Sequence, residues 1–378
     1  MIKRYPIFII MIALSFSLSL ILSPTLFGKT KKEVPPPAEF KIVEAGDKSA
    51  PGVTLAAANL NAVWDKAKNL EKMKKVIKIA AKKGVDLLVF PEQFLQGYVY
   101  MARPSFTIEH ELFQYQMENA ETIPGPSTDA IAELAAKYNM YIAFGMTEKA
   151  GKYGGGKAVM FNSNALVGPQ GVIGIYRKVH QPGSEYHLYV KGSAFNVYDT
   201  AVGKVGMSIC YDKAFPEVAR TYAIKGADII LHTTAWPMSG ALTVNGVTEK
   251  EYAGYMCGMF DKVRAAENQV WYVASDNVGK DAKAGWVFWG HSRIINPSGI
   301  VIAEIGQEEG LVIAHGLDIN GEILKARTQY FFGLDLLFDR APWMYKEVAS
   351  EEAMYPPYIP GKPVEVKVRK PYREKPKK

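Results

Sequence analysis

Cysteine is the scarcest reactive residue in this chain: its 378 residues contain two, Cys210 and Cys257. Two thiols exclude a multi-bridge disulfide scaffold and an all-cysteine zinc module. The six histidines are dispersed, and His180 with His187 lacks the spacing of a helical zinc pair, so neither a metal nor another cofactor is expected. Basic charge is missing where a nucleic-acid face would need it. Residues 1–32 carry five Lys or Arg and no acid, and residues 362–378 carry a net +6. The whole chain totals +7, so the body between stands at −4 and no nucleic-acid partner is expected. Long apolar runs are also rare, and the one that stands out lies at the start, from Ile7 to about Leu22.

That run follows a basic start, so residues 1–28 read as a signal peptide or a retained membrane anchor. Either form predicts export, to a periplasmic, secreted or membrane-attached place, and no cysteine follows the run to carry a lipid. Residues 29–52, with "EVPPPAEFKIVEAGDKSAPG", are rich in proline and charge and read as a linker. Residues 362–378 read as a solvated basic tail. With 48% hydrophobic and 22% charged residues, the rest is ordinary globular chain, long enough for a large core.

"VTLAAANL" (Val53–Leu60) is an apolar strand, and a helix follows with Leu70, Met73, Ile77, Ala80 and Ala81 on one face. Gly84 ends it, as a glycine just past a helix does. "VDLLVFPE" is a near-continuous apolar run, expected of a strand covered on both faces. The helix "TDAIAELAAKYN", capped by Ser127 or Thr128, leads to the strand "MYIAFGMTE". This alternation defines an α/β layered fold. A hairpin pattern, "SNALVGPQGVIGIYRK", is echoed by "SRIINPSGIVIAEIG", so two similar halves stack into one domain over 53–320. The segment 321–361 is too aromatic for a free tail and is expected to cover a neighbouring subunit or the domain itself.

In "VGMSICYDKAFPEVAR" a strand runs into Cys210 and a helix-start signal follows. Alone, the stretch allows a packed core thiol, half of a bridge to Cys257, or a nucleophile whose thiolate is favoured by helix-start amides. Two further charges weigh on that choice. Glu92 in "LVFPEQFLQGY" and Lys178 in "IGIYRKVH" also fall at the carboxyl ends of apolar strands, where α/β sheets place their sites. An acid there suits proton transfer, and an ammonium suits a developing oxyanion. "TTAWPMSG" follows another strand, so Trp236 is expected to form an apolar pocket wall. Tyr98 and Tyr115 are pocket candidates for which packing competes, His180 is expected beside Lys178, and Cys257 reads as a packed helix residue.

With "FPEQFLQGY", "YRKVH" and "GMSICYDKAFPEVAR" in this order, the chain resembles the carbon–nitrogen hydrolases of the nitrilase superfamily. "RAAENQVWYVASDNVG" and "GHSRIINPSGIVIAEIG" are also similar to family patterns, and the likeness runs from about Val53 to Tyr345. It implies a four-layer αββα sandwich, homo-dimers or larger oligomers, and a C-terminal segment that reaches across subunits. It also implies Cys210 as nucleophile, Glu92 as base and then acid, and Lys178 as stabiliser of the tetrahedral intermediate. The Tyr211 amide would be a second oxyanion donor and Glu185 a supporting carboxylate. The "YD" after Cys210 is similar to amidase-like branches, where nitrile-hydrolysing branches usually carry a tryptophan and a glutamate. The expected activity is an exported amidase working through a thioester. A nitrilase, or an inactive binding protein on the same fold, is the alternative.

Overall fold

The computed structural model describes residues 40–98, 110–152, 158–183, 185–283 and 285–350. The expected signal or anchor over 1–28 and the basic tail over 362–378 lie outside them. In the first half, β1 (Lys41–Gly46) and β2 (Val53–Asn59) lead to α1 (Lys66–Lys82) and β3 (Leu87–Val89). Two helices, α2 (Glu111–Asn119) and α3 (Pro126–Tyr138), precede the long strands β4 (Tyr141–Lys152), β5 (Ala158–Gly168) and β6 (Gly171–Arg177). The second half repeats the plan. It opens with β7 (Val197–Thr200), β8 (Gly203–Ile209), α4 (Pro216–Ile224) and β9 (Ile229–Thr234). A short exposed hairpin, β10 (Leu242–Val244) and β11 (Val247–Glu249), leads into α5 (Tyr252–Asn268) and β12 (Trp271–Asp276). A second small hairpin, β13 (Val278–Lys280) and β14 (Val287–Trp289), is followed by β15 (Arg293–Ile295) and β16 (Val301–Glu304). The strand β17 (Gly310–Leu317) and the helix α6 (Ile319–Thr328) close the domain.

Two mixed sheets result, ordered β1-β17-β2-β3-β4-β5-β6 and β16-β15-β12-β9-β8-β7. In each, three strands run parallel (β2, β3, β4 and β8, β9, β12) and an antiparallel pair completes the unit (β5, β6 and β15, β16). The hairpin echo in the sequence is thus the visible end of a whole repeated half. Period-two alternation on β2 divides its apolar residues between two cores. Leu55 and Ala57 join Val205, Met207, Leu231 and Val273 of the second sheet. Ala56 and Ala58 face outward onto Met73, Ile77 and Ile131 of α1 and α3. On the far side, Ile230 and Tyr272 meet Val218, Tyr222 and Ala265 of α4 and α5. The layers are therefore helix, sheet, sheet, helix, as expected.

The structure shifts several boundaries. Lys41–Gly46, inside the supposed linker, is a strand paired in parallel with β17, from Lys41 beside Gly310 onward. Its partner lies far along the chain, so no local pattern shows the pairing. The buried face of α1 centres on Asn69, Met73, Val76, Ile77 and Ala80, because the Asn69 amide reaches inward to Val63 O and Leu95 O. Gly125, not Ser127 or Thr128, caps α3. Ser127 instead donates from its amide and hydroxyl to Glu121. Between α6 and Ser350 the described residues form short turns, tied to the end of α5 where Gln269 bonds Leu334 O and Leu336 N. Phe332, Phe338 and Trp343 in this stretch remain 94%, 86% and 71% exposed.

Candidate active site

Glu92 follows β3, and the turn that carries it rests directly on β4. A Cβ on Gly145 would stand 2.3 Å from Gln93 N and 2.6 Å from the Glu92 Cα. Only a glycine permits that approach. The Glu92 carboxylate is fully buried. Its Oε1 accepts hydrogen bonds from Asn162 Nδ2 (2.8 Å) and Lys178 Nζ (2.8 Å), and its Oε2 accepts one from Ala235 N (3.0 Å). Its backbone carbonyl is held by Asn277 Nδ2 at 2.9 Å. The acid therefore points one way only, fixed by both halves of the fold.

Lys178 follows the edge strand β6 and is equally buried. Its backbone is pinned by Asn162 O and Gly192 N, both at 2.9 Å. Besides Glu92, its Nζ donates to Glu185 Oε1 at 2.9 Å. Glu185 opens a single 3-10 turn, Glu185–His187, and also accepts from the Tyr98 hydroxyl at 3.0 Å. One ammonium thus serves two buried carboxylates. Burial works against the Lys178 charge, yet Glu185 and Glu92 outweigh it and hold that ammonium well above its ordinary range. Burial raises Glu185 to about 7 against the pull of Lys178, with Glu92 adding to the rise.

Cys210 sits where β8 ends, as first residue of the 3-10 turn Cys210–Ala214. Its φ of +49° is left-handed, a conformation that costs a non-glycine residue roughly 1–3 kcal/mol and persists only when its surroundings enforce it. The thiol is free and buried. α4 begins at Pro216, where the sequence placed its first turn, but the expectation that helix-start amides favour the thiolate is not met. Burial, then the Glu92 carboxylate, push this thiol well above its ordinary range, while Lys178 and the Thr234 hydroxyl pull the other way. A resting thiol is the consequence, so its proton must be removed as it reacts.

The fold brings Glu92, Lys178, Glu185 and Tyr98 into one connected network, with the Cys210 thiol within their field. Trp236 follows Ala235, with its amide on Asp276 Oδ1 (2.9 Å) and the Lys213 ammonium 4.8 Å above its ring. Tyr211, directly after Cys210, is 38% exposed. Tyr115 lies elsewhere: its hydroxyl accepts from Lys66 N and its ring meets Trp64 edge-on. His180 bonds Asp212 Oδ1 at 2.8 Å and stacks on Phe215, rather than joining the Lys178 side chain. Cys257 packs within α5, its Sγ 2.9 Å from Lys213 Nζ, and burial pushes its thiol to about 12. Among the described residues no group of His, Cys, Asp or Glu is arranged to hold a metal.

Asn162, Asn277 and the Ala235 amide were not anticipated from the sequence. Asn162 did leave a trace, as the first of three consecutive polar residues, Asn162, Ser163 and Asn164, inside the apolar strand β5, "AVMFNSNALVG". Its Oδ1 and the Oε2 of Glu185 are buried without a partner. Buried polar atoms are rarely left so, and both belong to side chains that touch the Glu92–Lys178 pair.

Residues 54–320 match the family model described as "Carbon-nitrogen hydrolase". The chain is 35% identical to a nitrilase of Pyrococcus abyssi, over 70% of this chain and 93% of that one. It is 34% identical to an omega-amidase of Xenopus laevis, over 66% and 83%. In fold it is similar to a carbon–nitrogen hydrolase of Helicobacter pylori, with a TM-score of 0.65, 22% identity and coverage of 78% and 97%. An amidase of Nesterenkonia sp. AN1, caught with an acetamide group on its active-site cysteine, matches at a TM-score of 0.60 and 21% identity, over 79% and 97%. The chain belongs to the carbon–nitrogen hydrolase family, in the amidase-like branch of the nitrilase superfamily. It is a hydrolase of carbon–nitrogen bonds other than peptide bonds.

Proposed function

We propose that the chain is a cysteine amidase that works through a thioester. The observation that carries this reading is the buried contact of Glu92 with Lys178, placed beside a free thiol on a strained turn. Glu92 takes the Cys210 proton as the sulfur attacks the amide carbonyl, so charge forms on the carbonyl oxygen rather than on a stored thiolate. Lys178 and the Tyr211 amide hold that oxyanion. Protonated Glu92 gives its proton to the leaving nitrogen, the carbon–nitrogen bond breaks, and ammonia or an amine departs. Glu92 then activates a water that hydrolyses the thioester. Glu185, held by Tyr98, keeps the Lys178 ammonium in position, and Trp236 walls the substrate.

The amide preference is supported by the omega-amidase relatives and by the "YD" after Cys210. The test is product detection over a panel of amides, N-carbamoyl compounds and nitriles, with Cys210→Ala as control. Ammonia or amine release from amides that is lost in Cys210→Ala is expected. Turnover retained by Cys210→Ala, or confined to nitriles, would overturn the reading.

Export and self-association belong to the same proposal. The apolar run from Ile7 to about Leu22 behind a basic start supports export, and cell fractionation with N-terminal sequencing tests it. The exposed Phe332, Phe338, Trp343 and Met344 support a homo-oligomer joined through the C-terminal segment. Light scattering of a Phe338→Asp/Trp343→Asp variant should show smaller particles than the parent, and an unchanged mass counts against the interface.

A further inference from the structure

Cys210 and Lys178 stand on different sheets, so something must hold them in register across the sandwich. Glu92 contacts Lys178 but makes no hydrogen bond to the backbone of the cysteine turn. Asp212 does. It is completely buried, two residues beyond Cys210. Its Oδ2 accepts the Ile209 amide at 3.0 Å and the Tyr176 hydroxyl at 2.7 Å. Its Oδ1 accepts both the amide of His180 (3.0 Å) and the His180 ring Nδ1 (2.8 Å).

Tyr176 and His180 flank Lys178 by two residues on either side, and Ile209 immediately precedes Cys210. One carboxylate therefore grips the chain before and after the lysine, and the chain just before the cysteine. Multiple bonds to a buried carboxylate fix direction as well as distance. The left-handed Cys210 needs such enforcement. The other flank of the turn is anchored separately, by Lys213 on Asp261 Oδ1 (3.0 Å) and by Arg264 Nε on Lys213 O (2.8 Å). Those anchors hold the turn to α5 and leave Lys178 untouched.

We infer that Asp212 is the positioning residue that sets the Cys210 sulfur against the Lys178 ammonium, through its bonds to Ile209, Tyr176 and His180. The inference rests on the reading of Cys210 and Lys178 as catalytic. Asparagine cannot replace Asp212 without turning an NH2 group toward either the Ile209 or the His180 amide, so one side of the clamp opens. A misplacement of about 1 Å can cost roughly 100-fold in rate.

The test compares full-length Asp212→Asn, Tyr176→Phe and the control Asp318→Ala, which removes the cap of α6 where Asp318 Oδ1 accepts Gly321 N. Turnover of the best amide is measured per reactive thiol, counted by chloroacetamide alkylation and intact mass, together with Tm. The expected result is a fall in kcat of roughly 100-fold for Asp212→Asn and roughly 10-fold for Tyr176→Phe, with KM within about threefold. Asp318→Ala should lose Tm and keep its kcat. If Asp212→Asn does not fold, Tyr176→Phe carries the test alone. A kcat per reactive thiol within about threefold of the parent in the variant that carries the test overturns the inference, as does a loss expressed in KM. Turnover surviving in Cys210→Ala would instead overturn the catalytic reading itself, so the two failures are distinguishable.

Discussion

The ammonium of Lys178 lies 2.8 Å from Oε1 of Glu92, and neither side chain reaches solvent. A second carboxylate, Glu185, closes on the same nitrogen at 2.9 Å. Removing the cation leaves two carboxylates buried without a counter-charge, which costs about 3–5 kcal/mol for a broken buried pair. Lys178→Met should therefore lose activity and roughly 10 °C in Tm, at about 2–4 °C per kcal/mol for a domain of this size. Calorimetry of Lys178→Met and of Lys178→Met/Glu185→Gln checks it. The double variant should recover part of the loss, and no recovery would mean that Glu185 is not held by charge.

Glu92 is both the carboxylate that most raises the Cys210 thiol and its proposed base, and the two roles pull in opposite directions. Glu92→Gln removes the repulsion that raises the thiol, so Cys210 should be alkylated at lower pH than in the parent. Amide turnover should fall by at least ~10³-fold, because the proton acceptor is gone. A pH series of chloroacetamide labelling beside steady-state kinetics separates the effects. An alkylation midpoint that rises would show that Glu92 does not oppose the thiolate.

Glu185 titrates near 7 in the folded chain against 4.5 when unperturbed. Between those values the folded state keeps a proton that the unfolded state has lost, so stability is full below about 4.5 and declines as pH rises through about 7. In Glu185→Gln this part of the slope should vanish. Urea midpoints for both proteins from pH 4.5 to 8 test it, and parallel curves would sink the assignment.

Gly145 supplies the floor on which the Glu92 turn rests. Gly145→Ala should displace Glu92 while β4 keeps its ladder, lowering kcat by roughly 100-fold, as a displacement of about 1 Å does. The pocket itself is not touched, so KM should change little. A fully active Gly145→Ala enzyme would show that the turn can relax away from β4.

The sequence carried the layered α/β plan because buried parallel strands and amphipathic helices impose their own periods on "VDLLVFPE" and on α1. The repeated hairpin announced two halves, since Gly-Pro-Gln-Gly and Asn-Pro-Ser-Gly turns are local chemistry. Glu92, Lys178 and Cys210 were legible because each is a reactive residue at the end of an apolar strand, and their order matched a family. What depended on contacts between distant segments was not legible. The strand at Lys41–Gly46 needs β17 as its template, and Asn162, Asn277 and Asp212 each bond a residue far along the chain.

The state of the cysteine shows the division most clearly. Residue types and spacing placed Cys210 at a strand end before a helix, and that much held. Whether its thiolate is stored or made on demand depends on burial and on the Glu92 and Lys178 charges, which only the packed sandwich sets at their distances. Local pattern determines which element a residue belongs to; the field at its sulfur is a sum over neighbours, and only the tertiary structure supplies them.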